Sequence, residues 1–419
     1  MNKKKIFIWS LYDFANSFVM IAFFLYFSQW LVIDRGVSDF WFNITLTIAS
    51  VLFLIVGPVL GSIADKTGNK TTGMRTTTIL TSVLYFLTGV VTISFPGQVI
   101  LATILFTLAS AVYLLSFIYY NSFLKDIAPP EKHGIVSGWG LFGNYLGQIA
   151  AVLLALPFAT GIITLWGAPG RAQAFIPATI IFLLLSLPLL VFFKKEPNIA
   201  VKINIFSEYK TVWQKIVDLF KTPNLGRFLI AYFFYNDAVL TAANNFPIYM
   251  ERVFGTNDSV KSYVLLGIMV TSAIGCPLSG WIADKIGFKK TLVGILVGWV
   301  IIFPLLAFAN SILSVVLITI VMGLWFGAAW TVTRVMVIRY TPDHNLNHSF
   351  TFFALMERFA TFVGPISWGL IVAYAPHTHS FNYRAAALAM VIFILIGLVI
   401  VRKLPKDGTA LVRLVSSPH

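Results

Sequence analysis

The sequence predicts an all-α integral membrane protein in which twelve transmembrane helices form two pseudo-symmetric six-helix bundles. A repeated motif, a train of long apolar segments and a one-sided distribution of basic residues predict it. The stretch from Gly61 through Asp65 and Gly68 to Lys70 returns as Gly280 through Asp284 and Gly287 to Lys289, with the two aspartates 219 positions apart in a chain of 419. Each copy closes an apolar run and opens a basic loop, as expected of two homologous membrane halves in tandem. With 58% hydrophobic residues, 11% charged residues and a mean hydropathy of +0.85, the chain is too apolar for an ordinary soluble globule. Apolar segments of about 20 residues cross a hydrocarbon core of about 30 Å, and backbone amides in lipid must be paired within the segment, so these are helices.

The spans fall at 6–31, 40–63, 73–94, 98–124, 134–156, 173–193, 225–249, 260–283, 290–309, 311–338, 350–373 and 382–402. Residues 1–193 make the N-terminal bundle and 225–404 the C-terminal bundle; 194–224 is a cytoplasmic linker and 405–419 a cytoplasmic tail that reads as disordered. The first span opens on Lys3, Lys4 and Lys5, as a signal peptide would. Asp13 interrupts its apolar run, the run continues to Val32 and no A-x-A site follows, so it is read as a retained helix. The second and eighth spans end on the repeated loop. Tyr113, Ser116 and Tyr120 recur at i, i+3 and i+7 on the fourth span, a stripe more often used for packing than as a binding wall. On the fifth, Gly140, Gly143 and Gly147 permit close helix approach, while Asn144 and Gln148 share a face and can hydrogen-bond a solute. The outer loop 157–172 is rich in Gly and Pro and reads as irregular. Within the linker, Tyr209, Val212, Trp213, Ile216, Val217 and Phe220 alternate at helical spacing with Lys210, Lys215, Asp218 and Lys221. That pattern predicts an amphipathic helix on the inner membrane surface, with a docking site for a partner as the alternative. Cys276, the one cysteine, falls in the eighth span and reads as a small apolar residue.

The net charge of +14 is a topology signal rather than a nucleic-acid footprint. Assigning alternate loops to opposite sides collects Lys3 to Lys5, Lys66, Lys70, Arg75, Lys125, Lys132, the Lys194–Arg227 cluster, Lys285, Lys289, Lys290, Arg339 and the tail from Arg402 on one side. The other side keeps Arg35, Arg171, Arg252, Lys261 and Arg384. By the positive-inside rule both termini are cytoplasmic, and a bacterial inner membrane is the expected location.

An ionisable group in hydrocarbon costs about 2.5–3.5 kcal/mol on insertion scales, so each requires a reason. Asp13, Asp237, Arg334, Glu357 and Arg358 lie clearly inside the predicted spans. Asp13 heads a polar stripe with Asn16, Ser17 and Met20; Asp237 heads a matching one with Thr241, Asn244 and Asn245. One reading is a pair of acids facing a watered pathway, where either can bind a proton or a substrate cation. The other is that each carboxylate only accepts hydrogen bonds near the cytoplasmic boundary. Arg334 follows Phe326 and Trp330 at i+8 and i+4 on the tenth span, and Glu357 adjoins Arg358 on the eleventh. Aligning Pro129 with Pro342 sets Arg334 opposite Asn121 and Glu357 opposite Asn144, so amides in the first half correspond to charges in the second. Arg334 is expected to pair with Glu357 or an aspartate, as a cytoplasmic latch or as part of substrate or proton coupling. The six histidines lie in loops or the tail, no cluster has metal-ligand spacing and no nucleophile sits beside a base, so no enzyme, metal site or cofactor is expected.

The loop G-x-x-x-D-[KR]-x-G-x-[KR], present twice, resembles that of the major facilitator superfamily. Tyr12-Asp13-Phe14-Ala15-Asn16-Ser17, Tyr120-Asn121-Ser122-Phe123-Leu124, Thr333-Arg334 before Pro342, and Arg358 followed by Gly364-Pro365 look like its vacuole-effluxer-like branch. That branch includes autophagy-related vacuolar amino-acid effluxers; it usually has a lysine where Arg358 stands. The resemblance implies that the first and seventh helices are equivalents flanking a central cavity and that the tenth lines it. It also implies gating roles for Gly61, Asp65, Gly68, Gly280, Asp284 and Gly287, each aspartate accepting from a neighbouring helix N-terminus. The fourth-helix arginine that many relatives place near this loop is missing here.

These readings converge on a monomeric secondary transporter that moves a small solute by alternating access, with a zwitterion such as an amino acid as first expectation and protons as coupling ion. Its expected partners are that solute, membrane lipid and protons. A lipid or lysolipid flippase on the same fold and a transporter-like sensor or scaffold are the rival classes.

Overall fold

The structure, a computed structural model, describes residues 3–67, 69–123, 127, 133–193, 205–221, 224–340, 363–376 and 378–405. Among them all regular elements are helices. They are α1 (Lys3–Met20, continuing through π-helical turns Ile21–Phe27 and Trp30–Asp34), α2 (Asp39–Thr67), α3 (Lys70–Ser94), α4 (Val99–Ser122), α5 (His133–Ala159) and α6 (Phe175–Phe192). There follow the linker helix α7 (Ile205–Lys221), then α8 (Leu225–Phe254), α9 (Asp258–Ile286), α10 (Phe288–Phe308), α11 (Ile312–Tyr340), α12 (Val363–Tyr374) and α13 (Phe381–Arg402).

Nine of the described helices are long and apolar enough to cross a membrane. Two more, α5 and α12, contain shorter apolar stretches, Gly143–Ala159 and Val363–Tyr374. The twelfth, α8, is more polar because it carries Asp237, Asn244, Asn245, Glu251 and Arg252. This is the twelve-helix architecture expected from the sequence, with several helices running a turn or so beyond the apolar spans.

The chain divides into two compact units: Met1–Val212 with Asn257–Ser262, and Trp213–Thr256 with Tyr263–His419. In the first, α1 packs on α5 and α6, α3 packs on α4 and α6, and α2 packs on α4. In the second, α8 packs on α12 and α13, and α10 packs on α11 and α13. The α1–α5, α1–α6, α3–α4 and α3–α6 packings of the first unit recur as α8–α12, α8–α13, α10–α11 and α10–α13 in the second, which is the structural form of the sequence repeat.

An aromatic stack fills the first unit where α1 turns π-helical. Phe23 lies 4.0 Å from Tyr85 and 4.9 Å from Phe175, and Phe27 lies 4.2 Å from Phe106, centroid to centroid. Offset aromatic pairs of this kind each contribute about 0.5–1.5 kcal/mol beyond their buried area.

Candidate functional site

In the first unit the polar residues of α1 and α5 form a connected chain. Asp13 is buried, and its Oδ1 accepts from Asn144 Nδ2 at 3.2 Å. Asn144 Oδ1 in turn accepts from Gln148 Nε2 at 2.6 Å, and Ser17 Oγ donates to the Asn144 carbonyl at 2.9 Å. Three glycines make this approach possible. A Cβ at Gly143 would stand 3.0 Å from the Ser10 carbonyl oxygen, one at Gly147 would press on the Phe14 backbone, and one at Gly140 would stand 3.3 Å from Asp13 Oδ2. Close packing of α1 on α5 along the glycine stripe is what brings Asn144 to Asp13, with Gln148 bonded to Asn144 in turn. Asn16 is fully buried, and among the described residues neither of its side-chain polar atoms meets a hydrogen-bond partner. A buried amide with unmet capacity in a polar stripe is a candidate binding position.

An aromatic wall stands beside this chain. Trp9 stacks on Tyr120 at 4.5 Å and donates its indole N–H to the Tyr120 carbonyl at 3.0 Å; Tyr12 also stacks on Tyr120, at 5.4 Å. Tyr12 is held in turn by the Thr78 hydroxyl at 3.0 Å. Asn121, one residue further along α4, is exposed in the helix's last turn, away from these contacts.

In the second unit Asp237 is fully buried on α8. Its Oδ2 accepts the Gly364 backbone N–H of α12 at 2.6 Å. Thr241 lies one turn on, also fully buried, and its carbonyl accepts from Asn245 Nδ2 at 2.9 Å. Asn244 is half-buried, as are Trp330 and Arg334 on α11, where Trp330 lies 6.4 Å from Phe326. Sequence reasoning missed a small recess here, lined by Tyr232, Tyr235, Asn236 and Val239 of α8 and by Ala329, Trp330 and Thr333 of α11. Tyr235 and Thr333 join their hydroxyls at 2.7 Å, and Asn236 Nδ2 is buried with no hydrogen-bond partner among the described residues. The stripe Tyr232, Asn236, Val239 at i, i+4, i+7 was the available signal.

The repeated loops differ in setting. Gly61 and Gly280 are half-buried inside α2 and α9, Asp284 is exposed, and Gly287 takes a positive φ of 95° directly before α10. The Asp65 side chain, with Gly68, Glu357 and Arg358, lies outside the described residues, as do the tail beyond Pro405 and the proposed Arg334–Glu357 pair.

A buried ionic cluster in the first unit was also missed. Arg171 Nε lies 2.9 Å from Asp258 Oδ2, Arg171 Nη1 lies 2.6 Å from Asp34 Oδ1, and Lys261 Nζ lies 2.7 Å from Asp258 Oδ1. Lys261 also donates to Gln29 Oε1, and the Tyr26 and Ser262 hydroxyls meet at 3.0 Å. The Lys261 side chain is 1% exposed.

Repeated units of long apolar helices define the class as a multi-pass membrane protein. The family described as Major Facilitator Superfamily matches residues 2–152 and 228–416, and the chain belongs to that superfamily. It is 27% identical over 434 residues to an MFS-type transporter of Bacillus subtilis (strain 168), YxiO, itself uncharacterized, covering 95% of this chain and 94% of the relative. A bacterial homologue of the human lysosomal transporter Spinster, solved inward-facing and unoccupied, has a TM-score of 0.73 at 13% identity, covering 96% of this chain and 98% of that one. The nucleoside transporter NupG has a TM-score of 0.71 at 11% identity, covering 96% and 99%. At such identities the two structures speak to the fold. The chain's family and its full-length relative are transporters, not enzymes.

Proposed function

We propose that this transporter belongs to the vacuole-effluxer-like branch and moves a small zwitterionic solute, an amino acid or a similar metabolite, by proton-coupled alternating access. The observation that carries the reading is the Asp13–Asn144–Gln148 chain. A carboxylate, two amides and a hydroxyl share one buried neighbourhood, the donors and acceptors that an ammonium and a carboxylate group require. Asp237 supplies a second carboxylate on the equivalent helix of the other half, and among the described residues no cation pairs with it. A carboxylate so placed can bind and release a proton during a transport cycle, the use to which intramembrane acids are commonly put. Both termini would then be cytoplasmic, in a bacterial inner membrane.

Purified protein in proteoliposomes tests this directly. Radiolabelled neutral amino acids should move faster under an imposed proton gradient than without one, and faster than in protein-free vesicles. Flux indifferent to the gradient would remove proton coupling. Movement of nucleosides or lysolipids with no amino-acid flux would remove the zwitterion.

A further inference from the structure

The two copies of the repeated loop use the same two positions for different ends. In the second copy the Lys285 ammonium lies 3.6 Å from the centroid of the Trp281 ring. The equivalent residues of the first copy, Ser62 and Lys66, grip the linker helix α7. Ser62 Oγ donates to Glu208 Oε2 at 2.8 Å, and the Lys66 ammonium pairs with Oε1. The Glu208 side chain is 8% exposed, so one flank of α7 is fastened to the end of α2.

The grip fixes which flank of α7 is left outward. At about 100° per residue, Phe206 and Trp213 fall about 140–160° around the helix from Glu208. They are 83% and 62% exposed, and Tyr209 beside them is exposed as well. Next on the same side come Lys210 and Lys221, both exposed. Amphipathic rings with adjacent ammonium groups match a bilayer interface, where rings sit at the headgroup level and lysines reach the phosphates.

Chain connectivity and charge select the occupant. Only 222–224 separate α7 from the spanning helix α8, so its end lies within about 14 Å of that helix even at full chain extension. The bilayer surface is therefore within reach of α7. Residues 194–227 carry seven basic and three acidic side chains, and one of those acids, Glu208, is turned toward Lys66. Clusters of basic residues beside a membrane are drawn to anionic lipid.

We propose that the Phe206, Tyr209, Trp213, Lys210 and Lys221 flank of α7 docks on anionic phospholipid headgroups, while Ser62 and Lys66 hold its opposite flank through Glu208. The inference is independent of the solute carried.

Full-length protein with Cys276→Ser and Trp213→Cys, labelled with an environment-sensitive fluorophore and reconstituted with or without phosphatidylglycerol in phosphatidylcholine, provides the test. With the anionic lipid, emission should shift to the blue, aqueous iodide should quench poorly, and lipids brominated near the headgroup should quench well. Lys210→Gln with Lys221→Gln should reduce that shift, and Phe206→Cys labelled alone should report the same behaviour. Glu208→Gln should loosen a spin label at position 213 without returning it to water. A label open to iodide in both lipids would overturn membrane docking and leave a protein partner as the occupant. Equal burial in both lipids would overturn recognition of the anionic headgroup.

Discussion

Arg171 and Asp258 form a buried ion pair, Nε to Oδ2 at 2.9 Å, with each side chain 10% exposed. Asp258 is shared, because Lys261 approaches its other oxygen at 2.7 Å. Asp34 completes the cluster at the far side of the guanidinium but is 35% exposed. Removing one partner of a buried pair leaves a poorly hydrated charge and typically costs about 3–5 kcal/mol, whereas a solvent-accessible pair contributes about 0–1 kcal/mol. Asp258→Asn should therefore lower thermal stability in detergent far more than Asp34→Asn. Adding Arg171→Gln to Asp258→Asn should recover part of the loss. Equal shifts for the two aspartates, or strict additivity with Arg171→Gln, would show that the cluster is not organised around Asp258.

The carboxylates on α1 and α8 lead to a second prediction. Asn at position 13 keeps an acceptor for Asn144, and Asn at 237 keeps one for the Gly364 N–H, so both variants should fold and reach the membrane. Each should slow transport by about tenfold or more, equivalent to a loss of about 1.4 kcal/mol in the rate-limiting step. Initial rates in proteoliposomes at matched protein density check this. Wild-type rates in both variants would take these acids out of the mechanism.

Topology supplies a third. Single cysteines at Ser207 in the linker helix and Ser380 at the start of α13, in a Cys276→Ser background, should label from opposite sides with an impermeant maleimide. The expectation rests on the concentration of Lys and Arg around the linker. Labelling from one side would sink the arrangement.

What the sequence revealed, and what it hid, follows from the physics of each element. The twelve spans were legible because crossing lipid demands long apolar runs, and the repeat was legible because it keeps Gly, Asp and Lys in register. The polar stripe of Asp13 pointed to the α1–α5 neighbourhood, and Gly143 and Gly147 told why two helices come close there. The Arg171, Asp258 and Lys261 cluster was not legible, since charges at span ends are ordinary by composition and only tertiary packing buries them. Asn121 was proposed from its alignment with Arg334, and it stands exposed in the last turn of α4, apart from the Asp13–Asn144 contacts. The Asn236 recess escaped because helical period sends residue 236 about 100° away from Asp237, off the stripe that drew attention.

The contact of α8 with α12 gives the last prediction. Gly364 brings its backbone N–H to Asp237 Oδ2 at 2.6 Å because it has no side chain. A Cβ there would stand 2.7 Å from Asp237 Oδ1 and still nearer to Thr241 Oγ1. Both neighbours are fully buried, so neither can swing into solvent to make room. Overpacking of this kind costs about 1–3 kcal/mol, and here it also pulls apart the hydrogen bond from the Gly364 N–H to Asp237. Gly364→Ala should lower thermal stability and mimic the transport defect of Asp237→Asn. Adding Thr241→Ala removes the closer obstacle and should return part of the stability while leaving the crowding at Oδ1, so transport should recover less than folding does. Parallel recovery of both would mean that Thr241 alone is crowded. No effect of Gly364→Ala on either would show that α12 can shift away from Asp237 at no cost, and the contact would then have no part in setting the position of the carboxylate.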